Sequence, residues 1–348
     1  MNSGQASAAL RRWLLDGPAQ LRAGEHAGGV AGSLDADGRA AYVYVEITGY
    51  YLHWLAGLDA DAARRATRAR AAIDWCERRF AAGAPATRIY LHDAVPDWRN
   101  QATFLFDLAM LAGGIARAVR AGLVEAPHEL LARLTAELER LVVDGALTPL
   151  RRLDAAAVLP DRWSTRFDRF ELKAATRVLM LQEIGELPAG LLEACRRCVA
   201  QRAPEAAQAP VEWLHPTLYF LEGVLACDRA HWPGAAALLQ RVLAFDDGAG
   251  ALPEAPESSA VRRSDIIAQA LRVGLVLRRD DVPGAPTPAQ LDRLAQALVL
   301  RVTPAGALAF RPDVQPPLPN VWCAMFAEQA LRWHAADSAA ALAPGLIV

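Results

Sequence analysis

Six stretches of this chain, beginning near residues 40, 100, 167, 212, 259 and 320, are apolar around most of a helical circumference. Between them lie stretches rich in arginine and glutamate whose apolar residues keep to one side. A helix apolar all round must be buried, while an amphipathic one lies outside, so the alternation implies an inner and an outer set of helices. Period-2 runs of β-branched residues are nearly absent, and the 3.6-residue period dominates. Twelve helices are expected, near 6–22, 40–57, 60–82, 100–121, 127–142, 167–185, 188–202, 212–229, 232–246, 259–278, 287–301 and 320–336. With the first helix as the outer partner that closes the ring, six inner and six outer helices result. That is the composition of an all-α fold, an (α/α)6 toroid of six helical hairpins, as one domain over residues 1–348. An irregular α-solenoid is the alternative, because closure follows from the count alone.

Asp59 and Thr287 stand where helix N-caps belong, and Pro188 and Pro288 sit near helix starts, where a missing N–H does little harm. The longer loops, near 24–39, 83–99, 144–166, 247–258 and 302–319, all precede inner helices. They are expected to gather around the N-termini of those helices, an end that favours anionic groups and leaves loops to supply the chemistry.

The chain has 348 residues, 53% of them hydrophobic, and a net charge of −2. This is ample for a large core and carries no electrostatic footprint for nucleic acid or an acidic membrane. No uncharged apolar run is long enough to cross a membrane, and the first residues carry no signal-peptide pattern, so a cytoplasmic protein is expected. The five cysteines are scattered. Cys195 and Cys198 have redox or zinc-knuckle spacing, but they lie in a helical run without a second pair, which favours ordinary helix cysteines. No metal-ligand spacing, phosphate loop or nucleophile elbow is present, so neither cofactor nor metal is expected.

Polar residues interrupt the inner helices in stripes. Asp265, Gln269 and Arg272 fall at i, i+4 and i+7 and share one face of an otherwise apolar helix, so the stripe is either solvated or turned into a polar cavity. His215, Tyr219 and Glu222 repeat the spacing. Glu46, Gly49, Tyr50 and His53 share a face, which suits acid–base work or a buried glutamate bonded to a neighbouring helix. Asp107 sits in a strongly apolar run, where it either caps or lines a site. Trp163 and Arg166 precede Lys173, and two inward cations, Arg166 and Lys173, would suit a carboxylate or phosphate; surface charge at a helix end is the alternative. Asn320 and Trp322 open the last inner helix, with Phe326 and Gln329 on the face of Trp322, an aromatic platform fit for a sugar ring or a packed core.

Together, Glu46-Ile-Thr-Gly-Tyr50, Phe106-Asp107, Arg162-Trp-Ser-Thr-Arg166 with Lys173, His215-Pro216 with Tyr219 and Glu222-Gly223, Ser264-Asp265 with Gln269 and Arg272, and Asn320-Val-Trp322 with Phe326 and Gln329 span most of the chain. In that order they resemble bacterial (α/α)6 toroid proteins associated with polysaccharide biosynthesis, distantly similar to six-hairpin glycan hydrolases, lyases and sugar epimerases. The resemblance implies a carbohydrate or sugar-linked small molecule as partner, without identifying a reaction. The expected function is an enzyme acting by acid–base chemistry, with Glu46, Glu222 and Asp265 as candidate acid and base. Tyr50, Tyr219 and His215 would position the substrate or relay protons, and Arg166, Lys173 and Arg272 would hold an anionic group. A non-catalytic glycan-binding or scaffold protein is the second expectation. A terpene-cyclase-like toroid is the third, against which the basic residues Lys173 and Arg272 count.

Overall fold

The computed structural model describes residues 1–83, 86–92, 97–258, 261–314, 318–336, 345 and 347–348. The α-helices are α1 (Ser3–Asp16), α2 (Val45–Ala56), α3 (Ala62–Ala81), α4 (Leu105–Arg120), α5 (His128–Glu139) and α6 (Glu171–Leu179). They continue as α7 (Ala189–Arg202), α8 (Leu214–Leu225), α9 (Trp232–Leu243), α10 (Ser264–Arg279), α11 (Pro288–Val299) and α12 (Val321–Ala335). Each expected helix forms. The expected start of the tenth, at residues 259–260, lies outside the described residues, as do parts of the loops near 83–99 and 302–319.

The inner helices begin later than their apolar runs because short strands lead into two of them. In one, β1 (Tyr42–Tyr44) pairs antiparallel with β2 (Arg88–Tyr90), placing Tyr44 opposite Arg88. In the other, β3 (Ala102–Phe104) pairs with Leu150–Arg152. Aromatic and β-branched residues at these positions favour the extended form over one more helical turn. A 3-10 turn, Trp163–Thr165, and an extended Arg166 precede α6, so Arg166 does not share a helix face with Lys173.

The first turns of four inner helices are pinned in the same way. The N–H of Val45 donates to Thr87, that of Leu105 to Pro149, that of Leu214 to Glu254 and that of Ser264 to Phe310. Each donor would otherwise be an orphan of the helix start, and each acceptor lies on a loop that follows in sequence. The loops therefore fix where first-turn side chains stand. Thr287 caps α11 in a capping box with Gln290, whereas α3 is capped by Asp61 rather than Asp59.

The chain divides into two compact units. One comprises Met1–Gly17, Ser33–Arg39 and Gln201–Val348, and the other Pro18–Gly32 and Ala40–Ala200. In the first, α10 packs between α8 and α12, with α9 and α11 flanking and α1 against α12. The contact of α1 with α12 is the pairing of first and last helices that the helix count implies. In the second unit, α4 packs between α2 and α6, with α3 and α5 outside. The helices α4, α8 and α10 bury nearly every residue, as all-round apolar helices must. Cys195 and Cys198 are buried on α7 and all five cysteines are free thiols, Cys195 being pushed up to about 12 by burial and by Cys198.

Glycines let α2 and α4 approach closely. A Cβ on Gly49 would lie 2.5 Å from the Met110 carbonyl and the Leu111 nitrogen, and one on Gly114 would lie 2.2 Å from the Gly49 carbonyl oxygen. Backbone cannot yield as a flexible side chain can, so Gly49→Ala is expected to lower stability by about 1–3 kcal/mol, the usual cost of overpacking. Gly190→Ala, whose Cβ meets nothing within 4 Å, should leave stability unchanged or slightly raised. Thermal denaturation of both variants checks this.

Candidate functional site

Polar side chains gather inside each unit. In the unit of α8, α10 and α12 the centre is Asp265, in the first turn of α10 and fully buried. Arg263 donates to both of its oxygens, at 3.1 and 2.5 Å, and also to Glu254 at 2.9 Å. The Trp322 indole N–H reaches Asp265 at 3.4 Å. Burial alone would raise the Asp265 pKa; Arg263, His215 and Trp322 outweigh it and hold it down at about 2. The residue is therefore an anion across the physiological range.

His215 lies in the first turn of α8, nearly buried, with its ring 4.3 Å from that of Tyr219. Its Nδ1 is 2.7 Å from Gln269 Oε1 and 3.4 Å from Asp265 Oδ2. Both neighbours are acceptors, so Nδ1 carries the proton and donates it. Burial pushes the His215 pKa down to about 4, more than Asp265 pulls it up, so the ring is neutral. With Nδ1 protonated, the lone pair sits on Nε2, and a carboxylate that fixes the tautomer is what a histidine base requires. The Gln269 Nε2 is buried without a hydrogen-bond partner among the described residues.

Deeper along the same helices, Arg272 donates to Glu222 at 2.5 Å, both fully buried. Arg272 also donates to Gln329 at 3.2 Å and to the Val348 carbonyl at 3.0 Å, and lies 4.0 Å over the Phe326 ring. The Val348 N–H in turn donates to Gln329. The charge of Arg272, expected to hold an anionic ligand, is thus met by Glu222 and the chain itself. Removing one partner of a buried ion pair leaves an uncompensated charge, which makes Glu222 and Arg272 load on the fold.

The unit of α2, α4 and α6 holds a second group. Asp107, in the first turn of α4, accepts from Tyr44 at 2.9 Å and from Thr87 at 2.5 Å. Burial pushes Asp107 up to about 6, against the pull of Thr87 and Tyr44. Glu46, half-buried in the first turn of α2, is pushed up to about 8 by loss of solvent and by the charge of Asp107. Lys173, buried on α6, donates to Tyr50 at 3.3 Å. Glu171 is buried on the same helix; burial first and Asp107 second hold its pKa well above the usual carboxylate value. Its Oε2 has no hydrogen-bond partner among the described residues.

Of the residues singled out in the sequence, His215, Tyr219, Asp265, Gln269 and Trp322 come together in one unit, and Glu46, Tyr50, Asp107 and Lys173 are brought inside the other. Three take different places. Arg166 is exposed and paired with exposed Asp161 rather than turned inward. Trp163 packs edge-on against Phe170, and Asn320 caps α12 by accepting from Cys323 N–H. Sequence reasoning missed Arg263, Tyr44, Thr87, Arg88 and Glu171. The Tyr-Val-Tyr alternation at 42–44 was the available signal for β1; Arg263 and Thr87, in loops, gave none. Among the described residues no three His, Cys, Asp or Glu side chains gather as a metal site would need. None of the described helices is long and apolar enough to cross a membrane.

No protein-family model matches the chain, and no curated protein matches it by sequence. Solved structures do match in fold. A sugar epimerase from a ruminal bacterium superposes with a TM-score of 0.65 at 13% identity, covering 95% of this chain and 100% of that one. A D-mannose isomerase gives 0.67 at 14% identity, covering 94% and 96%. An unsaturated glucuronyl hydrolase specific for heparin gives 0.61 at 12%, covering 96% and 95%. The fold of the chain is therefore the (α/α)6 toroid.

Glu46 makes stability depend on pH. Above pH 4.5 an unfolded glutamate gives up its proton, while folded Glu46 keeps it to about 8. The folded state then binds more protons, so stability falls as pH rises between these values and levels off above them. Glu46→Gln removes this contribution. Relative to the wild type it is expected to gain on the order of 2 kcal/mol between pH 5 and pH 9, after screening at its partly exposed surface is allowed for. Denaturant unfolding at both pH values checks the sign and size.

Proposed function

We propose that this chain is a carbohydrate-active enzyme that moves protons on a sugar or sugar conjugate, with His215 as the base. The observation that carries the reading is the buried neutral imidazole whose Nδ1–H is fixed by Asp265 and Gln269. Such a ring accepts a proton at Nε2 and gains a neighbouring anion's support as it becomes charged. Asp265, held at about 2, has no proton to give and serves as orienting charge rather than as acid or base. Tyr219 and Trp322 line the same group, and the Gln269 amide N–H, without a partner among the described residues, is a donor for a substrate oxygen.

A sugar substrate is supported by the names of the proteins that share the fold, an epimerase, an isomerase and a hydrolase. One fold hosts all three reactions, so the choice among them rests on side chains. A neutral histidine fits proton abstraction beside a carbonyl, the step common to epimerisation, isomerisation and elimination. Hydrolysis is the second reading, favoured by Glu46, whose pKa of about 8 suits a general acid. The sequence resemblance supports a role in bacterial polysaccharide biosynthesis, in the cytoplasm, with residues 1–348 working as one domain. The net charge of −2 supports neither nucleic acid nor an acidic membrane as partner.

His215→Asn is expected to lower kcat by about 10²–10⁴, the usual range for a lost general base, with little change in melting temperature. The wild-type rate should fall below a pH of about 4, where His215 takes up its proton. The assay is a panel of aldoses, disaccharides and uronate-ended oligosaccharides, followed by solvent deuterium uptake at carbon and by reducing-end release. Deuterium uptake lost in His215→Asn supports the first reading. Reducing-end release that survives in His215→Asn but not in Glu46→Gln would establish the second. Full turnover in both variants would overturn the acid–base account.

A further inference from the structure

The cations first expected to hold an anionic group are engaged within the fold: Arg166 by Asp161, Lys173 by Tyr50 and Arg272 by Glu222. Arg301, just beyond α11, is different. It is 9% exposed, and among the described residues no carboxylate forms an ion pair with it. Its Nη1 donates to Ser264 Oγ at 3.2 Å, the one hydrogen bond that its side chain makes there. The Ser264 hydroxyl gives its own hydrogen to the Ala309 carbonyl at 2.6 Å, so it meets Arg301 as an acceptor. The Arg301 carbonyl accepts from the Ala309 N–H at 3.2 Å. Side chain and backbone are both tied to the same loop, and the guanidinium is held in one orientation.

That orientation leaves the edge of Nε and Nη2, whose N–H bonds point the same way and match two oxygens of a carboxylate or phosphate. Arg263 uses this edge on Asp265, at 3.1 and 2.5 Å. On Arg301 it has no partner among the described residues. Neither nitrogen is among the buried ones left without a bond, so both reach solvent. We propose that Arg301 is an anion-binding residue whose Nε–Nη2 edge takes a carboxylate or phosphate group carried by the sugar substrate, as Arg263 takes Asp265. Ser264 immediately precedes Asp265, so this subsite adjoins the turn of α10 that orients His215. The proposal rests on the reading of the chain as carbohydrate-active and names its substrate class, an acidic sugar.

The surrounding charges leave that edge vacant. Asp265 and Asp247 act on Arg301 from beyond ion-pair distance, and each is already paired, with Arg263 and Arg262. Asp313, which also feels Arg301, is paired with Arg311. A charge as buried as this one is rarely left without a partner. Loss of solvent, and then the like charge of Arg262, bring the Arg301 pKa down to about 10. A bound oxyanion supplies the opposite charge that the fold withholds. Sequence reading passed over Arg301 because it follows an outer helix rather than an inner one.

Isothermal titration of the full chain with glucose and mannose, their uronates, their 6-phosphates and inorganic phosphate tests the subsite without turnover. The wild type should bind an acidic sugar about 10–100-fold tighter than its neutral parent, the range of a charge-assisted hydrogen-bonded pair. Whether uronate or phosphate gains more identifies the group. Inorganic phosphate should compete but bind more weakly than the sugar that carries it. Arg301→Gln should abolish the preference, and Arg301→Lys, a point charge without the fork, should keep part of it. Should Arg301→Gln fail to fold, the reduced preference of Arg301→Lys carries the test. Arg278→Gln, which removes an exposed arginine in the last turn of α10, should leave the preference intact. A wild type without preference for any acidic sugar, or a preference undiminished in the Arg301 variants, would overturn the proposal. Anion preference without turnover of any sugar would leave the subsite standing and remove the acid–base reading instead.

Discussion

A fully buried carboxylate must either find a cation or keep its proton, and Asp265 has found Arg263. The surroundings of Asp265 follow from that pairing. The anion takes the Trp322 N–H and sets the Nδ1–H tautomer of His215, while Gln269 shares the same proton. Without Arg263, burial would favour a proton on Asp265, and Gln269 Oε1 alone would be left to hold the Nδ1–H tautomer of His215. One guanidinium from the residue before α10 thus keeps a negative charge beside a ring on another helix.

The other unit takes the opposite course. Glu46, Asp107 and Glu171 act on one another's charge, and among the described residues no carboxylate–guanidinium pair like that of Asp265 and Arg263 holds them. Their protons are retained upward of the usual carboxylate range. Hydroxyls of Tyr44 and Thr87, rather than guanidiniums, satisfy Asp107. Ion pairing makes a carboxylate inert to pH near neutrality, whereas proton retention makes it responsive there. The contrast separates groups that hold geometry from groups able to exchange a proton.

The fold was legible in the sequence because it depends on burial, and burial leaves a periodic mark. All-round apolar runs gave the inner helices, and one-sided runs gave the outer ones. The polar stripe of Asp265, Gln269 and Arg272 left open whether it was solvated, and the structure buries all three residues fully. Its division of labour was not legible. Whether Arg272 meets a ligand or Glu222 depends on helix-to-helix distance, which spacing along one helix cannot carry. The same limit hid Tyr44, whose partner lies 63 residues away. Arg166 was misplaced because the helical period was extended through a 3-10 turn, and Asn320 because an N-cap and a site residue look alike at a helix start.

The most direct test is the protonation of His215 itself, read by nitrogen-15 NMR of the histidine-labelled protein across pH. The account predicts a neutral ring with the proton on Nδ1 and the lone pair on Nε2, titrating only near a pH of about 4. A ring that titrates near the ordinary histidine value of 6.5, or one that carries its neutral-state proton on Nε2, would contradict it.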